Sequence, residues 1–361
     1  MKVFFYVQHL LGIGHLKRAA TLSRALERAG FEVTLASGGL PVEGIPALQL
    51  PPASSDASLK RLLDEHGNPV DDAWKKRRTA ALLDAYRASD AQIVLIELFP
   101  FGRRQMRFEL LPLLDAATGD KRLVVCSVRD LIQPRPARED EMLECFEHYF
   151  DRLLVHGDPR LATFERSFGK AARLAGKLHY TGYVVQETEQ QGDAGAGEVL
   201  VSAGGGAVGR RLLETAVAAR ALSRLKDRPW RVLAGLNAKD TGGLEGEGVI
   251  VERFRNDFTL RLRNCVLSVS QAGYNTVLET LQARARALLV PFAAEGEAEQ
   301  TLRATLLAER GLLEVLDEAS LSPHTLAAAI DRAAARPRPA PGAVDFGGAQ
   351  RSAELLREWI A

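Results

Sequence analysis

The chain has 361 residues, of which 46% are hydrophobic and 26% charged, and its formal net charge is +1. This length predicts two domains, and the composition is typical of a soluble globular protein rather than a disordered or fibrous one. The near-zero net charge argues against nucleic acid as a partner, and no window approaches the ~20 apolar residues of a membrane span.

The apolar run at residues 3–7 ends at Gln8 and predicts a first strand rather than a signal peptide. The three cysteines share no metal-type spacing, and we interpret them as reduced thiols. We therefore expect a cytoplasmic protein that uses no metal. No residue pattern supports peripheral contact with a membrane.

Strands and helices alternate along the first half of the chain. Apolar runs predict strands at residues 2–8, 31–37, 92–96, 123–127 and 152–156, and apolar residues at helical spacing predict a helix over residues 16–29. Strands separated by helices imply parallel order with right-handed crossovers. Residues 54–78 interrupt the alternation, and we expect either a lid over the site or a pair of solvated surface helices.

The alternation restarts after residues 183–197, a Gly-, Gln- and Glu-rich stretch that predicts a linker. Further strands are predicted at residues 198–202, 230–234, 249–252, 266–269 and 287–290. The predicted fold class is α/β, with Rossmann-like doubly wound domains at residues 1–182 and 198–345. A helix within residues 346–361 is expected to cross back to the first domain. In this plan the ligand binds in the cleft, at the carboxyl ends of the strands.

The most informative stretch runs from the strand near residue 269 to residue 300. A small-residue turn leads into a helix whose N-terminus favours an anion, and a carboxylate in the second turn can accept hydroxyl protons. After the next strand, an acid–amide pair can bind further hydroxyls. This combination suits a nucleotide-sugar, with candidate binding residues Gly273, Asn275, Thr276, Glu279, Glu299 and Gln300.

Two other features of the second half could bind the same ligand. Gly205 and Gly206 lie in a glycine turn after a strand, where backbone amides can contact a diphosphate, although a tight turn alone would also need glycine. Phe254 could stack on a nucleobase while Arg255 presents its backbone to the base. The alternative for Phe254 is a position in the core.

Candidate catalytic groups lie in the first half. The motif GIGH at residues 12–15 connects the first strand to the first helix, so Gly14 can approach a ligand closely and His15 lies at a helix N-terminus that disfavours imidazolium. His9 is the alternative histidine. Glu97 follows an apolar strand, and we expect burial to raise its pKa towards that of a working base.

These residues together resemble the C-terminal donor-binding domain of the family 28 glycosyltransferases, and GIGH resembles that family's N-terminal loop. The resemblance implies a GT-B fold and an inverting, metal-independent transfer from a nucleoside-diphosphate sugar, UDP-linked, as co-substrate. It also implies that Glu279 binds the ribose, Glu299 and Gln300 the sugar, and the glycine turn the diphosphate. The chain departs from the family's pattern at Gly206, where a serine is usual, and at Glu299, where a glutamine is usual.

The motif GHLKR at residues 14–18 is also similar to a loop of the UDP-sugar hydrolases of pseudaminic acid synthesis, which have the same fold. A hydrolase and a non-catalytic nucleotide-sugar sensor therefore remain as alternatives. The acceptor stays open between a glycan, a lipid-linked molecule and a small molecule, because fold alone does not decide function.

Overall fold

The computed structural model describes residues 1–10, 12–56, 61–186, 190–203, 209–235, 238, 240–292 and 298–360. The chain divides into two compact units. Unit 1 consists of Met1–Gln186 and Asp345–Ala361, and unit 2 of Glu187–Val344. Each unit contains a parallel sheet flanked by helices, which confirms the predicted α/β class with two Rossmann-like domains.

Unit 1 contains strands β1 (Lys2–Val7), β2 (Glu32–Ser37), β3 (Leu48–Gln49), β4 (Ser54–Ser55), β5 (Leu62–Leu63), β6 (Ile93–Glu97), β7 (Leu123–Arg129), β8 (Arg152–His156) and β9 (Leu178–Tyr180). Its helices are α1 (Gly14–Arg28), α2 (Asp72–Ser89), α3 (Arg107–Gly119), α4 (Glu139–Tyr149) and the C-terminal α10 (Gly348–Ile360). The strands predicted from apolar runs are all present, with ends shifted by one or two residues.

The sheet of unit 1 has the order β3-β2-β1-β6-β7-β8-β9, and its strand pairs are parallel. Successive side chains of a strand point to opposite faces. On β1, Phe4 and Tyr6 therefore belong to a core shared with α2 and α3, while Phe5 belongs to a second core shared with α1 and α10. Burial on both faces explains why these strands have continuous apolar sequences.

The stretch around Trp74 and Arg78 is part of this core and not a lid or a solvated surface pair. It forms the start of α2, where Asp71 caps the helix by accepting a hydrogen bond from the amide of Trp74 at 2.7 Å. Trp74 is 6% exposed and its ring lies 6.3 Å from that of Phe108. The charged composition of α2 concealed an ordinary crossover helix with one buried arginine.

Unit 2 contains strands β10 (Val199–Ser202), β11 (Trp230–Leu233), β12 (Val249–Glu252), β13 (Leu267–Ser270), β14 (Ala287–Leu289) and β15 (Glu314–Val315). Its helices are α5 (Arg210–Arg220), α6 (Phe258–Asn264), α7 (Tyr274–Gln282), α8 (Glu299–Glu309) and α9 (Pro323–Ala335). The parallel sheet has the order β12-β11-β10-β13-β14-β15. The reversal of strand order beside β10 is the point at which doubly wound sheets bind ligands.

The chain leaves and re-enters unit 1 at one place. Tyr183, 1% exposed, donates its hydroxyl to Asp130 at 3.0 Å, and its backbone amide donates to the carbonyl of Asp345 at 2.8 Å. Residues predicted to start the linker are therefore packed in unit 1. α10 then packs against α1 through the core that contains Leu355 and Leu356. Among the described residues, no helix is long and apolar enough to cross a membrane.

Candidate functional site

The candidate catalytic groups of unit 1 lie at the carboxyl ends of adjacent strands. Glu97 is the last residue of β6 and pairs in register with Ser127 of β7, while His156 is the last residue of β8. His15 is the second residue of α1, which follows β1, the other neighbour of β6. Parallel order therefore brings residues that are far apart in sequence to one edge of the sheet.

His15 and Glu97 form a hydrogen-bonded pair. The His15 Nδ1 lies 2.9 Å from Glu97 Oε1, and the same oxygen accepts a hydrogen bond from Arg18. The Glu97 side chain is 1% exposed and that of His15 is 15% exposed. An ionised carboxylate only accepts hydrogen bonds, so Nδ1 carries the proton and Nε2 is the basic nitrogen.

The predicted rise in the pKa of Glu97 is wrong. Burial does raise this pKa, but the charge of Arg18 and the hydrogen bonds from His15 and Ser127 outweigh it, so the pKa lies well below its usual range. The sequence showed the apolar strand before Glu97 but not the arginine that α1 places against it. Glu97 therefore orients His15 as a carboxylate and is not itself a base near neutral pH.

His15 is neutral, as predicted, but the dominant cause is not the helix N-terminus. Burial and the charge of Arg103 lower its pKa from 6.5 to about 3, with Arg18 acting in the same direction and Glu97 opposing it. At neutral pH the imidazole is therefore unprotonated at Nε2, and a pKa of about 3 makes it a weak base in the substrate-free protein.

Arg103 is held close to this pair by the backbone. It adopts the left-handed conformation, with φ of 58°, and its Nε donates to the carbonyl of Gln8 at 2.7 Å. Burial lowers the pKa of its guanidinium to about 10, with Glu97 opposing that shift. A non-glycine residue at this φ is uncommon, so the surrounding structure holds this cation beside His15 at some conformational cost.

The alternative histidine, His9, has a structural environment. It is 5% exposed, and its ring lies against the loop after β2, where a Cβ added at Gly39 would come within 2.3 Å of the ring. Glycine is therefore required at position 39 by the close approach of this ring. The structure places His15, and not His9, against a carboxylate.

The sequence places Ser127 and His156 at the carboxyl ends of predicted strands but assigns neither of them a catalytic or binding role. The Ser127 hydroxyl donates to Glu97 Oε2 at 2.8 Å and lies 2.9 Å from His156 Nε2. His156 is fully buried, and burial, reinforced by the charge of Arg18, lowers its pKa to about 3. Their position after predicted strands was the available signal, because side chains at the carboxyl ends of parallel strands meet.

The two neutral histidines predict loss of stability in acid. Below pH 6.5 the unfolded chain binds a proton at His15 and at His156, whereas the folded chain binds neither until about pH 3. The free energy of unfolding should therefore fall with decreasing pH, by roughly 4 kcal/mol between pH 7 and pH 5. Denaturant unfolding at several pH values in this range measures how steeply the free energy of unfolding falls with decreasing pH. The variant His156→Gln should reduce that fall by about half.

In unit 2, the candidate donor-binding residues gather around the start of α7. Gly273 is the N-cap residue, no side chain caps this N-terminus, and Asn275 and Thr276 lie in the first turn. Glu279 follows in the second turn and is half-buried. The first-turn amides of a helix lack intrahelical partners, so this end of α7 is suited to an anion.

The described residues on either side of the glycine turn lie near the start of α7. Gly205 and Gly206 lie outside the described residues, but both ends of their loop are described. Gly209 has a φ of +117°, and a Cβ there would come within 2.9 Å of Ala203 and of Gln271, which follows β13. The loop therefore starts and ends beside the turn that leads into α7.

Two serine hydroxyls end the neighbouring strands at this place. Ser202 of β10 and Ser270 of β13 pair in register, and each is at most 4% exposed. Within the described part of the chain, neither Oγ has a hydrogen-bond partner. Buried hydroxyls usually have one, so these two mark a polar site at the switch point of the sheet.

The two residues of the acid–amide pair, Glu299 and Gln300, lie in different environments. Glu299 is 3% exposed and forms an ion pair with Arg303 at 2.8 Å, whereas Gln300 is half-buried and accepts a hydrogen bond from the Phe292 amide at 3.3 Å. Arg303 also lies over the ring of Tyr274, 4.9 Å from its centroid. Glu299 thus contributes to a buried cluster between α7 and α8, and Arg303 is a residue that sequence reasoning missed.

Phe254 is not a core residue. It is 53% exposed and lines a cavity of about 350 Å³ together with Gln190, Arg255, Asn256 and Asp257. The Arg255 guanidinium is held by Asp257 at 2.9 Å and by Glu252 at 3.3 Å. With that side chain engaged, the backbone and the aromatic ring are what this turn presents to a ligand.

No group of three or more His, Cys, Asp or Glu side chains among the described residues is placed to hold a metal ion. The three cysteines are free, and Cys126 and Cys265 are buried.

A family model matches part of unit 2. Residues 233–343 match the glycosyltransferase family 28 C-terminal domain, a range that includes the Phe254 cavity, α7 and α8. Over its whole length, the chain is similar in structure to the calicheamicin glycosyltransferase CalG4, with a TM-score of 0.67, 19% identity and coverage of 99% of this chain and 98% of that one. The chain has the GT-B fold, and residues 233–343 within it match family 28. The predicted family resemblance and the predicted fold are thus both confirmed.

Two further similarities agree with this assignment. MurG of Acinetobacter baumannii has a TM-score of 0.65 at 16% identity and is covered over 100% of its length by 99% of this chain. A UDP-N-acetylglucosamine–N-acetylmuramyl-(pentapeptide) pyrophosphoryl-undecaprenol N-acetylglucosamine transferase of Synechococcus sp. (strain CC9902) is 33% identical over 122 residues. That match spans about a third of this chain and a third of the relative (33% of each).

Proposed function

We propose that this protein is an inverting glycosyltransferase that transfers a sugar from a nucleoside-diphosphate donor, UDP-linked, to the hydroxyl of an acceptor. The observation that carries the proposal is the neutral His15 held by the carboxylate of Glu97, in a chain whose other unit carries a family 28 domain. A base must be unprotonated at working pH to take a proton from a hydroxyl, and the ionised Glu97 opposes the fall in the pKa of His15.

The transfer step balances with one base. His15 Nε2 takes the proton of the acceptor hydroxyl as the acceptor oxygen bonds to the anomeric carbon. The bond between that carbon and the diphosphate oxygen breaks on the opposite face, and the nucleoside diphosphate leaves with the electron pair. Glu97 stays ionised and stabilises the imidazolium that forms.

The leaving diphosphate needs positive potential. The uncapped N-terminus of α7 supplies first-turn amides and the positive end of a helix dipole. Ser202 and Ser270 supply two hydroxyls at the adjoining strand ends. These groups support a mechanism that runs without a divalent metal, since fixed dipoles can stabilise the leaving group.

The nucleoside is assigned to the cavity beside Phe254. A half-exposed ring next to a turn of polar residues offers a stacking surface and hydrogen-bond partners for a base. The similar glycosyltransferase VinC, at a TM-score of 0.60, was solved in complex with dTDP. That precedent for a pyrimidine nucleoside diphosphate supports the same ligand class here.

Replacing Phe254 tests this assignment. We expect Phe254→Ala to raise the Kd for UDP about tenfold or more, because stacking of a base on an aromatic ring contributes roughly 1–3 kcal/mol. Phe254→Tyr should retain affinity. The control is Leu222→Ala, another exposed apolar side chain of unit 2. Calorimetric titration with UDP provides the measurement, and equal affinity for all four proteins would place the base elsewhere.

The reaction itself is tested with a panel of UDP- and dTDP-sugars and hydroxyl acceptors in the presence of EDTA. Acceptor-dependent release of nucleoside diphosphate, with inversion at the anomeric carbon, is the expected result. Dependence on an added divalent metal would remove the proposed role of α7. Release of free sugar at the same rate with and without acceptor would instead identify a hydrolase.

A further inference from the structure

Beyond the His15–Glu97 pair, polar side chains continue in a line across the carboxyl edge of the sheet. The line crosses adjacent strands, from Glu97 on β6 to Ser127 on β7 and His156 on β8, and it ends at Thr181, just after β9. The last link joins His156 Nδ1 to Thr181 Oγ1 at 2.9 Å. Ser127 and His156 are fully buried, and Thr181 is 2% exposed.

Each proton in this line has its position dictated by its neighbour. Glu97 is ionised and accepts, so the single hydroxyl proton of Ser127 points to Glu97 Oε2. Ser127 must then accept from His156, which places the proton of that imidazole on Nε2. His156 Nδ1 is left as an acceptor, and the hydroxyl of Thr181 is its donor.

The far end of the line offers a competing arrangement. The Thr181 hydroxyl also lies 2.8 Å from the carbonyl of Gly182. If Thr181 donated there, His156 would need its proton on Nδ1, and Nε2 would draw the Ser127 proton away from Glu97. The direction in which these hydrogen bonds are donated therefore decides whether Ser127 donates to Glu97 Oε2.

We infer that Ser127 and His156 are positioning residues that hold Glu97 in the orientation and charge state in which it fixes His15. The inference rests on the proposed function, in which His15 is the base. This role explains why His156 is fully buried and neutral although it would contact no substrate. A buried polar group without a hydrogen-bond partner destabilises the fold. Here Ser127, His156 and Thr181 each have a partner within the line.

The charged groups facing these residues come from three elements. Arg18 of α1 acts on His15, Glu97 and His156, and Arg103, after β6, acts on His15 and Glu97. The thiol of Cys126 on β7 lies close enough to Glu97 for the carboxylate to raise its pKa, in addition to the effect of burial.

Three variants test the inference. Ser127→Ala removes the donor to Glu97, His156→Phe removes the donor to Ser127, and His156→Gln keeps an amide donor in place of Nε2–H. Without these donors Glu97 is no longer held in the orientation that fixes the proton of His15 on Nδ1. We expect His15 at pH 7 to be the Nδ1-protonated tautomer in the wild type and in the third variant, and a mixture of the two tautomers in the first two variants.

The tautomer of His15 is read from its ring nitrogen shifts by histidine-selective NMR at pH 7 on the substrate-free protein, with circular dichroism to establish folding. The matched control is Ser37→Ala, which removes a buried hydroxyl of β2 that has no hydrogen-bond partner within the described residues. In a transfer assay, Ser127→Ala and His156→Phe should lower kcat about tenfold without changing the KM for the donor.

Folded Ser127→Ala and His156→Phe proteins whose His15 keeps the wild-type tautomer would overturn the inference. If His156→Phe does not fold, Ser127→Ala decides the question alone. The NMR measurement does not depend on the reaction. An unchanged His15 tautomer therefore refutes the positioning role, whereas full transfer by a His15→Ala variant refutes the proposed function.

Discussion

His15→Ala should lower kcat by 10²- to 10⁴-fold, the usual contribution of a positioned general base. The physical reason is the loss of the neutral nitrogen that Glu97 orients at 2.9 Å. The proposed donor-binding residues belong to unit 2, so the KM for the nucleotide-sugar should stay within a few-fold of the wild type. Steady-state kinetics with saturating acceptor measure both constants.

The matched control for this variant is His148→Ala, which removes an exposed imidazole of α4 in the same unit. It should leave kcat unchanged. Exogenous imidazole should restore part of the activity of His15→Ala and none to the control. A His15→Ala enzyme with undiminished kcat would mean that another group deprotonates the acceptor.

Glu97→Gln should reduce both stability and turnover. It removes the carboxylate with which Arg18 and His15 are paired in a site that is 1% exposed, and breaking a buried ion pair costs about 3–5 kcal/mol. The amide cannot stabilise the imidazolium that forms in the transfer step, so we expect kcat to fall by on the order of 10²-fold. Denaturant unfolding and kinetics below the melting temperature separate the two effects.

Glu109→Gln provides the comparison. Glu109 is also fully buried in unit 1 and pairs with Arg78 at 2.7 Å, but it accepts its further hydrogen bond from Tyr6 and makes none to His15. This variant should lose a similar amount of stability while each folded molecule keeps its kcat. Equal loss of kcat in the two variants would show that Glu97 acts only by stabilising the unit.

The predicted donor site, which stays a prediction, is most compact where one stretch of chain forms it. The turn at Gly273, the first turn of α7 and Glu279 are contiguous, and their proximity follows from helical geometry alone. Phe254 and Arg255 are likewise adjacent and line one cavity. Such local patterns are legible because 3.6 residues per turn fixes which side chains share a face.

The protonation state of Glu97 was predicted in the wrong direction for a tertiary reason. An apolar strand before a carboxylate predicts desolvation, and desolvation is indeed present. The deciding charge is Arg18, 79 residues away in sequence, which reaches Glu97 because β1 and β6 are adjacent in the sheet. The charge of Arg18 and the hydrogen bonds to Glu97 lower its pKa more than burial raises it. The sequences of the two segments do not show that β1 and β6 are neighbours in the sheet.

Glu299 has a comparable partner in unit 2. Its position beside Gln300 predicts a sugar contact, which stays a prediction, and the next turn of α8 places Arg303 against it in a buried pair. The alternation of apolar strands and helices was enough to establish two doubly wound units, because burial on both faces imposes a continuous apolar pattern. The sequence by itself thus determined the fold and the residues that line the strand ends. Only the tertiary structure decided which of them are ionised, paired and oriented, because those properties depend on distances between segments that parallel strand order brings together.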